Sequence, residues 1–200
     1  SGVSAVNLSQ YGLSDDQDEL FKWRFPNVTI ESKGYLMVFA SGKNRKPAVN
    51  HWETAVFAQD TWRYFVGSQD PPISWSRIEF DASVWPEGPG GIGYGDKDDG
   101  TEIVPSTSVF MVKSFEITDV SAIKSCMLSM DYDDGFVAYL NGTEIARANI
   151  DGAFPAYNKL TPTDHEAQMY QGGNPENFLI DTTLLKSLLV NGKNVLAVQT

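Results

Sequence analysis

The sequence predicts an all-β protein built as a β-sandwich, and three observations support this. Several short runs alternate between apolar and polar residues, turn residues separate these runs, and helical periodicity is weak along the whole chain. Hydrophobic residues make up 42% of the 200 residues. This content is enough to bury a core in one or two domains.

Strand signals follow one another along the chain. In order, the predicted strands are YLMVFA (35–40), SVFMVKSFEIT (108–118), CMLSMDY (126–132), GFVAYL (135–140), TEIARA (143–148) and NVLAVQ (194–199). Within 108–118, one face carries Val109, Met111, Phe115 and Ile117, and the other carries Ser114, Glu116 and Thr118. Within 126–132, one face carries Cys126, Leu128, Met130 and Tyr132. This period of two is typical of strands that bury one face.

One short helix is predicted at TTLLKSLL (182–189). Asp181 or Thr182 would act as its N-cap, and Asn191-Gly192 would end it. The stretch 67–107 is rich in Pro and Gly but contains regularly placed aromatic residues. Aromatic side chains in such a loop usually anchor it on a core, because each one buries a large area.

Aspartates cluster in two places, MDYDDG (130–135) and GDKDDG (95–100). The first cluster reads as a turn between two paired strands, since Asp and Gly favour turn geometry. Asn141-Gly142 would form a second turn, giving a three-strand meander. Calcium is the alternative, because it binds clustered hard oxygens. The candidate metal ligands are Asp96, Asp98, Asp99, Asp131, Asp133 and Asp134.

Charge and motif content exclude several functions. With Lys+Arg 15 against Asp+Glu 26, the net charge is −11, which disfavours nucleic acid and anionic membrane surfaces as partners. A single cysteine, Cys126, excludes an intrachain disulfide. The two histidines lie in no recognisable nucleophile motif, and no stretch is apolar enough for membrane insertion. We therefore expect no catalytic site and no required cofactor.

DDGFVAYLNGTEIARAN (133–149), followed by NFLIDTTLLKSLLVNGKNVLAVQ (177–199), resembles the galactose-binding-domain-like jelly roll. Similar modules occur as sugar-binding β-sandwiches in some glycoside hydrolases. FDASVWPEGPGGIGYGD (80–96) resembles the loop that opens this module in large secreted bacterial proteins. The resemblance implies a jelly-roll domain at 56–200.

The first forty-odd residues resemble a different family. AVNLSQYGLSDD (5–16), FKWRFP (21–26) and IESKGYLMVFASGK (30–43) are similar to the second half of a bacterial lamin tail domain, a small immunoglobulin-like sandwich. The resemblance implies an incomplete β segment at 1–45 and a linker at 46–55. Both chain ends read as strand interiors, so we expect a fragment of a longer protein.

These resemblances imply a non-catalytic accessory module of a secreted or cell-surface multidomain bacterial protein. It would bind carbohydrate or act in adhesion. The alternative is a structural spacer that packs against a catalytic neighbour such as a CotH-like kinase or a phosphoesterase. For sugar binding, the candidate residues are Trp75, Tyr94, Asp96, Asp98, Tyr157 and Tyr170, with Trp85 more typical of a core anchor. A concave groove with aromatic and polar lining would favour sugar, whereas an exposed apolar patch would favour a spacer.

Overall fold

The chain divides into two compact units, Ser1–Trp52 and Glu53–Thr200. The computed structural model describes residues 4–32, 34–36, 38, 51–95 and 99–200. In this described part, regular structure is almost entirely β-strand with one short α-helix, which confirms the all-β class. Among the same residues, no helix has the length and apolar character needed to cross a membrane. The predicted linker at 46–55 lies partly outside the described residues.

The first unit contains an interrupted antiparallel ladder. Its strands are β1 Val6–Asn7, β2 Gly12–Leu13, β3 Trp23–Arg24 and β4 Thr29–Ile30. β1 pairs with β4 and β2 with β3, and Leu8 N–H donates to Val28 O between the two pairs. Half of the strand predicted at 35–40 lies outside the described residues, and its described residues carry no strand.

The second unit is built around a six-stranded antiparallel sheet, as far as the described residues extend. Its elements are β5 Thr61–Val66, β6 Glu87–Pro89, β7 Ile92–Gly93, β8 Thr101–Glu102, β9 Val109–Ile117, β10 Cys126–Met130, β11 Phe136–Leu140, β12 Thr143–Ala148, β13 Glu176–Ile180, α1 Thr182–Leu188 and β14 Gly192–Gln199. The order in the main sheet is β12-β11-β14-β9-β5-β6. β10 and β13 form a second antiparallel sheet, and β7 and β8 form a short parallel pair.

Both faces of the main sheet are covered. On one face, Phe110 and Tyr139 pack against Trp75 and Trp85 from the loop-rich stretch before β9. On the other face, a core cluster contains Phe136, and residues of β10 and β13 pack into it. The prediction that one face of β9 is polar is therefore wrong for its first half. A central strand in a covered sheet carries apolar residues on both sides.

The predicted three-strand meander is also wrong in part. β10 pairs with β13 in the second sheet, with Cys126 opposite Ile180, and does not pair with β11. The stretch 131–135 therefore connects the two sheets. The β11–β12 hairpin is confirmed, because Asn141 and Gly142 have φ of 51° and 89° between the paired strands. Positive φ at both positions is typical of the two-residue turn that Asn-Gly favours.

The predicted helix and one of its two predicted N-cap residues are confirmed. Asp181 is the N-cap of α1, and its Oδ1 accepts a hydrogen bond of 2.9 Å from Leu184 N–H. This bond satisfies one of the backbone donors that every helix leaves open at its first turn. Leu185 is buried in a core cluster with Leu140 and Ile180. The helix thus covers one end of the space between the two sheets.

A buried asparagine, Asn194, organises the turns at one end of the sheet. Its side chain is 0% exposed. Its Nδ2 donates to Val190 O at 2.8 Å and to Gly192 O at 3.0 Å. Its Oδ1 accepts from Val190 N–H at 3.0 Å and from Asn141 Nδ2 at 2.9 Å. The amide therefore holds the loop before β14 in a closed turn and joins it to the β11–β12 hairpin.

Asn141 extends the same network. Its Nδ2 also donates to Leu188 O at the end of α1, at 2.9 Å, and its Oδ1 accepts from Val195 N–H at 2.7 Å. One turn residue thus contacts the helix end and strand β14. Because Asn tolerates positive φ, the same side chain also permits the turn.

Replacing Asn194 with Ala is expected to lower the free energy of unfolding by about 3 kcal/mol, because it leaves several buried backbone groups without a partner. Urea denaturation followed by tryptophan fluorescence measures this. The exposed Asn158→Ala is the control and is expected to change stability by less than about 0.5 kcal/mol. A small effect of Asn194→Ala would show that water replaces the amide.

Tyr139 carries a polar atom without a hydrogen bond. Its side chain is 2% exposed, and no described residue bonds to its hydroxyl. Burial raises the pKa of Tyr139 to about 12, and the charge of Glu144 adds to this. Because the folded-state pKa lies above the ordinary value of 10, the folded chain holds the phenolic proton more tightly than the unfolded chain does, so stability does not change with this group below pH 10 and falls as the pH rises towards 12.

Tyr139→Phe is therefore expected to unfold at neutral pH with a free energy equal to that of the unaltered chain or higher by up to about 1 kcal/mol. Between pH 10 and pH 12, the variant should lose less stability than the unaltered chain. Denaturant unfolding across that range measures both. A loss of about 2 kcal/mol at neutral pH would contradict the assignment, since it would require a bonded hydroxyl.

Candidate functional site

Trp75 is a core residue. It is 5% exposed and meets the rings of Phe110 and Tyr139 edge-on, at centroid distances of 5.2 and 5.6 Å. Trp85 is 8% exposed in the same cluster. The prediction that Trp75 binds sugar is therefore wrong, because its ring has no face open to a ligand. The general expectation that aromatics in this stretch anchor it on the core applies to both tryptophans.

Tyr94 and Tyr157 lie at one end of the main sheet, where β5 ends and β9 begins. Tyr94 is 47% exposed, and its hydroxyl donates to Ser106 O at 3.3 Å. Tyr157 is half-buried, with its carbonyl accepting from Ser108 Oγ at 2.6 Å and its N–H donating to Asp70 Oδ1 at 2.8 Å. Only Tyr94 presents a ring with substantial exposure here, so these two residues do not form a shared platform.

Tyr170 lies beside a polar depression formed by the loop at 165–173. Its ring is 47% exposed on a 3₁₀ turn, Met169–Gln171, and Gln171 Nε2 donates to its hydroxyl. The depression is lined mainly by polar side chains and glycines of this single loop, and the ring of His165 is its one aromatic group among the described residues. Tyr170 therefore stays a candidate because its ring is exposed.

The aspartates of MDYDDG hold the long connection between β12 and β13 in place. Asp131 Oδ1 and Oδ2 accept from Gln168 N–H at 2.8 Å and from Met169 N–H at 2.9 Å. Asp134 Oδ1 accepts from His165 N–H at 2.7 Å. Both carboxylates thus bind backbone donors more than thirty residues further along the chain. This role differs from the simple turn that the local sequence predicts.

The side chain of His165 also holds the connection between β12 and β13 in place. Its ring stacks on Tyr132, with centroids 4.1 Å apart and planes 9° apart. Its Nδ1 lies 3.0 Å from Tyr132 O, and its Nε2 lies 3.3 Å from Glu176 Oε1. Burial raises the pKa of Tyr132, and the charge of Glu176 adds to this. The stacked pair fixes the start of the loop that carries Tyr170.

The predicted metal ligands are not assembled into a site in the part of the chain that the structure describes. Among these residues, no group of three or more His, Cys, Asp or Glu side chains could hold a metal ion. Asp131 and Asp134 instead accept backbone N–H groups, and metal binding by Asp131, Asp133 and Asp134 stays a prediction. Asp96 and Asp98 lie outside the described residues, so calcium at GDKDDG, with Asp99, stays a prediction.

A groove of about 420 Å³ opens on the main sheet, and none of the sequence-predicted candidates lines it. Strands β5 and β9 and the start of β14 form its floor, and the loop at 80–83 forms a wall. Phe80 contributes an aromatic ring, held edge-on against Trp85 at 5.1 Å. Thr61, Ser83 and Ser114 contribute hydroxyl groups. The groove therefore combines an aromatic side chain with hydroxyl donors and acceptors in one concave surface.

Charged side chains in the groove are held by partners. Arg63 donates from Nη1 to Trp85 O at 2.9 Å and forms an ion pair with Glu87 at 2.7 Å. Lys113 Nζ donates to Thr61 O at 3.1 Å and lies 3.5 Å from Asp60 Oδ2. These contacts fix the direction of the cationic groups and pair each one with a carboxylate.

The charged side chains on the opposite rim, Lys193 and Asp81, are also held by partners. Lys193 Nζ donates to Ile78 O at 3.3 Å, which joins the start of β14 to the wall. The pKa of Asp81 lies below its ordinary value, mainly because Ser83 donates to it through its backbone N–H and its hydroxyl, and the charges of Lys193 and Arg63 add to this. The groove thus carries charges of both signs close together.

The groove residues were not among the sequence candidates because the predicted strands do not include 61–66. In TWRYFV, the period of two puts Arg63 and Phe65 on one face and Trp62 and Tyr64 on the other. The signal that could have pointed to the groove was the single cationic residue, Arg63, within this aromatic strand. The wall at 80–83 is separated from strand 61–66 in the sequence. Sequence patterning does not show that the two segments lie close together in the fold.

Comparison with known proteins gives structural likeness only. No protein-family model matches the chain, and no curated protein matches it. It is similar to a β-glucuronidase of glycoside hydrolase family 2 (16% identity, TM-score 0.45, covering 71% of this chain and 13% of that one). It is also similar to the Bifidobacterium dentium β-glucuronidase complexed with coumarin-3-O-glucuronide (16%, 0.43, 71% and 19%). A Bacteroides vulgatus β-glycosidase is a third (14%, 0.41, 70% and 16%). The chain spans less than a fifth of each of these three.

Replacing Asp131 with Asn should loosen the loop at 165–173, because one carboxylate oxygen becomes an NH₂ group that faces a backbone donor. We expect the amide protons of Gln168 and Met169 to exchange about tenfold faster. Hydrogen exchange followed by NMR measures this. Asp164→Asn, at an exposed position beside the same loop, is the control and should leave both rates unchanged. Unchanged rates in Asp131→Asn would refute the role assigned to Asp131.

Proposed function

We propose that this chain is a non-catalytic accessory module that binds carbohydrate in the groove between the main sheet and the loop at 80–83. The observation that carries the proposal is the lining of that groove. It has a concave shape, an aromatic side chain and polar rims on one surface. The sequence resemblance to galactose-binding-like jelly rolls supports the same ligand class. A secreted or cell-surface location of the parent protein belongs to this proposal.

The chemistry of the groove suits a neutral, hydroxyl-rich ligand. Arg63 is paired with Glu87, and Lys113 is close to Asp60, so the charges of the groove are largely balanced. Such pairs provide directional hydrogen-bond donors and acceptors without a strong net field. Phe80 provides an apolar surface beside them. Sugar rings present hydroxyl groups at their edges and C–H groups on their faces, which matches this combination.

A binding role is favoured over glycoside hydrolysis. Hydrolysis needs one carboxyl group with a raised pKa as general acid and a second carboxylate across the scissile bond. The carboxyl groups that line the groove are Asp81 and Glu87. The pKa of Asp81 is lowered, which is the opposite of what an acid catalyst needs, and Glu87 is paired with Arg63. This supports the non-catalytic part of the proposal.

A spacer role is the second candidate, and a different surface favours it. On the outer face of the second sheet, Met127 and Leu179 are cross-strand partners that are 44% and 72% exposed. Adjacent exposed apolar side chains on a sheet favour packing against another protein surface. Ser129 and Asn177, which are hydrogen-bonded at 2.7 Å, continue the same face with polar groups. The apolar part is therefore small.

The groove predicts which substitutions weaken carbohydrate binding. Ser114→Trp should fill the floor of the groove, and Lys193→Met should remove a hydrogen-bond donor while keeping an apolar stem. We expect each to weaken retention in polysaccharide gels by about tenfold, the loss of one well-placed contact. Affinity electrophoresis of the 200-residue chain in galactomannan, xyloglucan, β-glucan and xylan gels measures this.

Lys186→Met on α1 is the matched control for Lys193→Met, because it removes an exposed lysine that does not line the groove. It should migrate like the unaltered chain in every gel. Equal retention of the unaltered chain and both groove variants would exclude the groove as the binding site. Retention loss in Met127→Ser and Leu179→Ser instead would transfer the function to the outer face of the second sheet.

A further inference from the structure

A phenylalanine in an unfavourable backbone conformation is displayed to solvent on the long connection between β12 and β13. Phe154 has φ of 53° and is 56% exposed. Positive φ is rare for a bulky residue, because its Cβ then crowds the backbone. Such conformations persist where the surrounding structure enforces them, and they concentrate at ligand-contact sites. More than half of this side chain is therefore open to solvent in a backbone conformation that costs free energy.

Hydrogen bonds on both sides of Phe154 enforce this conformation. Arg147 Nη1 donates to Ile150 O at 3.0 Å and to Gly152 O at 2.9 Å. On the other side, Gln199 is 2% exposed, and its Nε2 donates to Pro155 O at 3.0 Å. The loop is thus ordered before any ligand arrives. Preordering reduces the entropy that binding would otherwise lose.

Charged groups lie next to the displayed ring. Phe154 is parallel to Tyr139, with centroids 6.0 Å apart and planes 2° apart. Glu144 is the cross-strand partner of Tyr139, so both point to the same face of the sheet. Glu144 and Arg147 form a two-bond ion pair, Nε to Oε1 at 2.7 Å and Nη2 to Oε2 at 2.6 Å. Ring and ion pair therefore share one surface.

The ion pair keeps hydrogen-bonding capacity for a ligand. A guanidinium has five N–H donors, and an ionised carboxylate has about four acceptor positions. Among the described residues, four of the Arg147 donors are used, two of them by Glu144, which leaves one N–H and further acceptor positions on Glu144. One donor beside several acceptors suits neighbouring hydroxyl groups, since each hydroxyl both donates and accepts.

We propose that Phe154, Glu144 and Arg147 form a second carbohydrate-contact site, separate from the groove. The apolar face of a sugar ring stacks on Phe154, and adjacent hydroxyls of the same ligand bond to Glu144 and Arg147. The ligand class rests on the proposed function, whereas the position of the site rests on the strained, exposed ring and the ion pair beside it. A long polysaccharide would use both sites.

The test separates the effect of the aromatic ring on binding from the effect of the strained backbone on stability. Phe154→Asn removes the ring but keeps a residue that tolerates positive φ. We expect its thermal midpoint to stay unchanged or rise, while its retention in the gel that retards the unaltered chain weakens by about tenfold. Phe154→Trp keeps an aromatic face and should keep binding within about threefold. Phe57→Asn is the matched control, since Phe57 is 60% exposed elsewhere in the same unit.

Each outcome is decisive. Loss of retention in Phe154→Asn, with Phe57→Asn and Phe154→Trp retained, supports the site. Normal retention of Phe154→Asn beside weakened Lys193→Met overturns this site and leaves the proposed function in place. If Phe154→Asn lowers the thermal midpoint, its binding result cannot be used and the Phe154→Trp variant provides the test. Loss of gel retention by Phe154→Trp, with its thermal midpoint unchanged, would overturn the site. Failure of every gel to retard the unaltered chain overturns both proposals.

Discussion

The second unit depends on one pair of side-chain amides, Asn141 and the buried Asn194. Asn194 has no exposed surface, and its bonds close the loop before β14. Asn141 ties the β11–β12 turn to that loop and to the end of α1. In a sheet whose faces are both buried, a slip of one residue would move a whole set of side chains to the wrong face. Directional hydrogen bonds fix the register here, which apolar packing alone does not.

The groove follows from how the main sheet is covered. Apolar side chains occupy both faces of β9 at Phe110, Met111 and Val112, and each face needs a separate cover. The second sheet covers one face, and irregular segments anchored by tryptophans cover the other. Toward the far end of β9, the side chain at Ser114 is small and polar, and the cover ends at the loop 80–83. A concave surface forms where an irregular cover meets a regular floor.

Local signals in the sequence were enough to predict much of this fold. The N-cap Asp181, the Asn-Gly turn and the alternation in 126–132 each act within a few residues, so their elements are confirmed. Pairing between β10 and β13 spans about fifty residues, and nothing in either strand specifies the other. Trp75 was misassigned as a ligand contact because loop composition does not show burial. The groove residues come from five separate stretches, and only folding brings them together.

The acidic composition has a structural cause as well. In the second unit, seven aspartates among the described residues accept backbone N–H groups: Asp60, Asp70, Asp81, Asp119, Asp131, Asp134 and Asp181. Long connections expose backbone donors that no strand satisfies, and a carboxylate is a strong acceptor for them. Asp70 and Asp131 each bind a segment far along the chain. Much of the negative charge therefore serves to order loops, whereas the groove and the β11–β12 hairpin carry balanced pairs, Arg63 with Glu87 and Arg147 with Glu144.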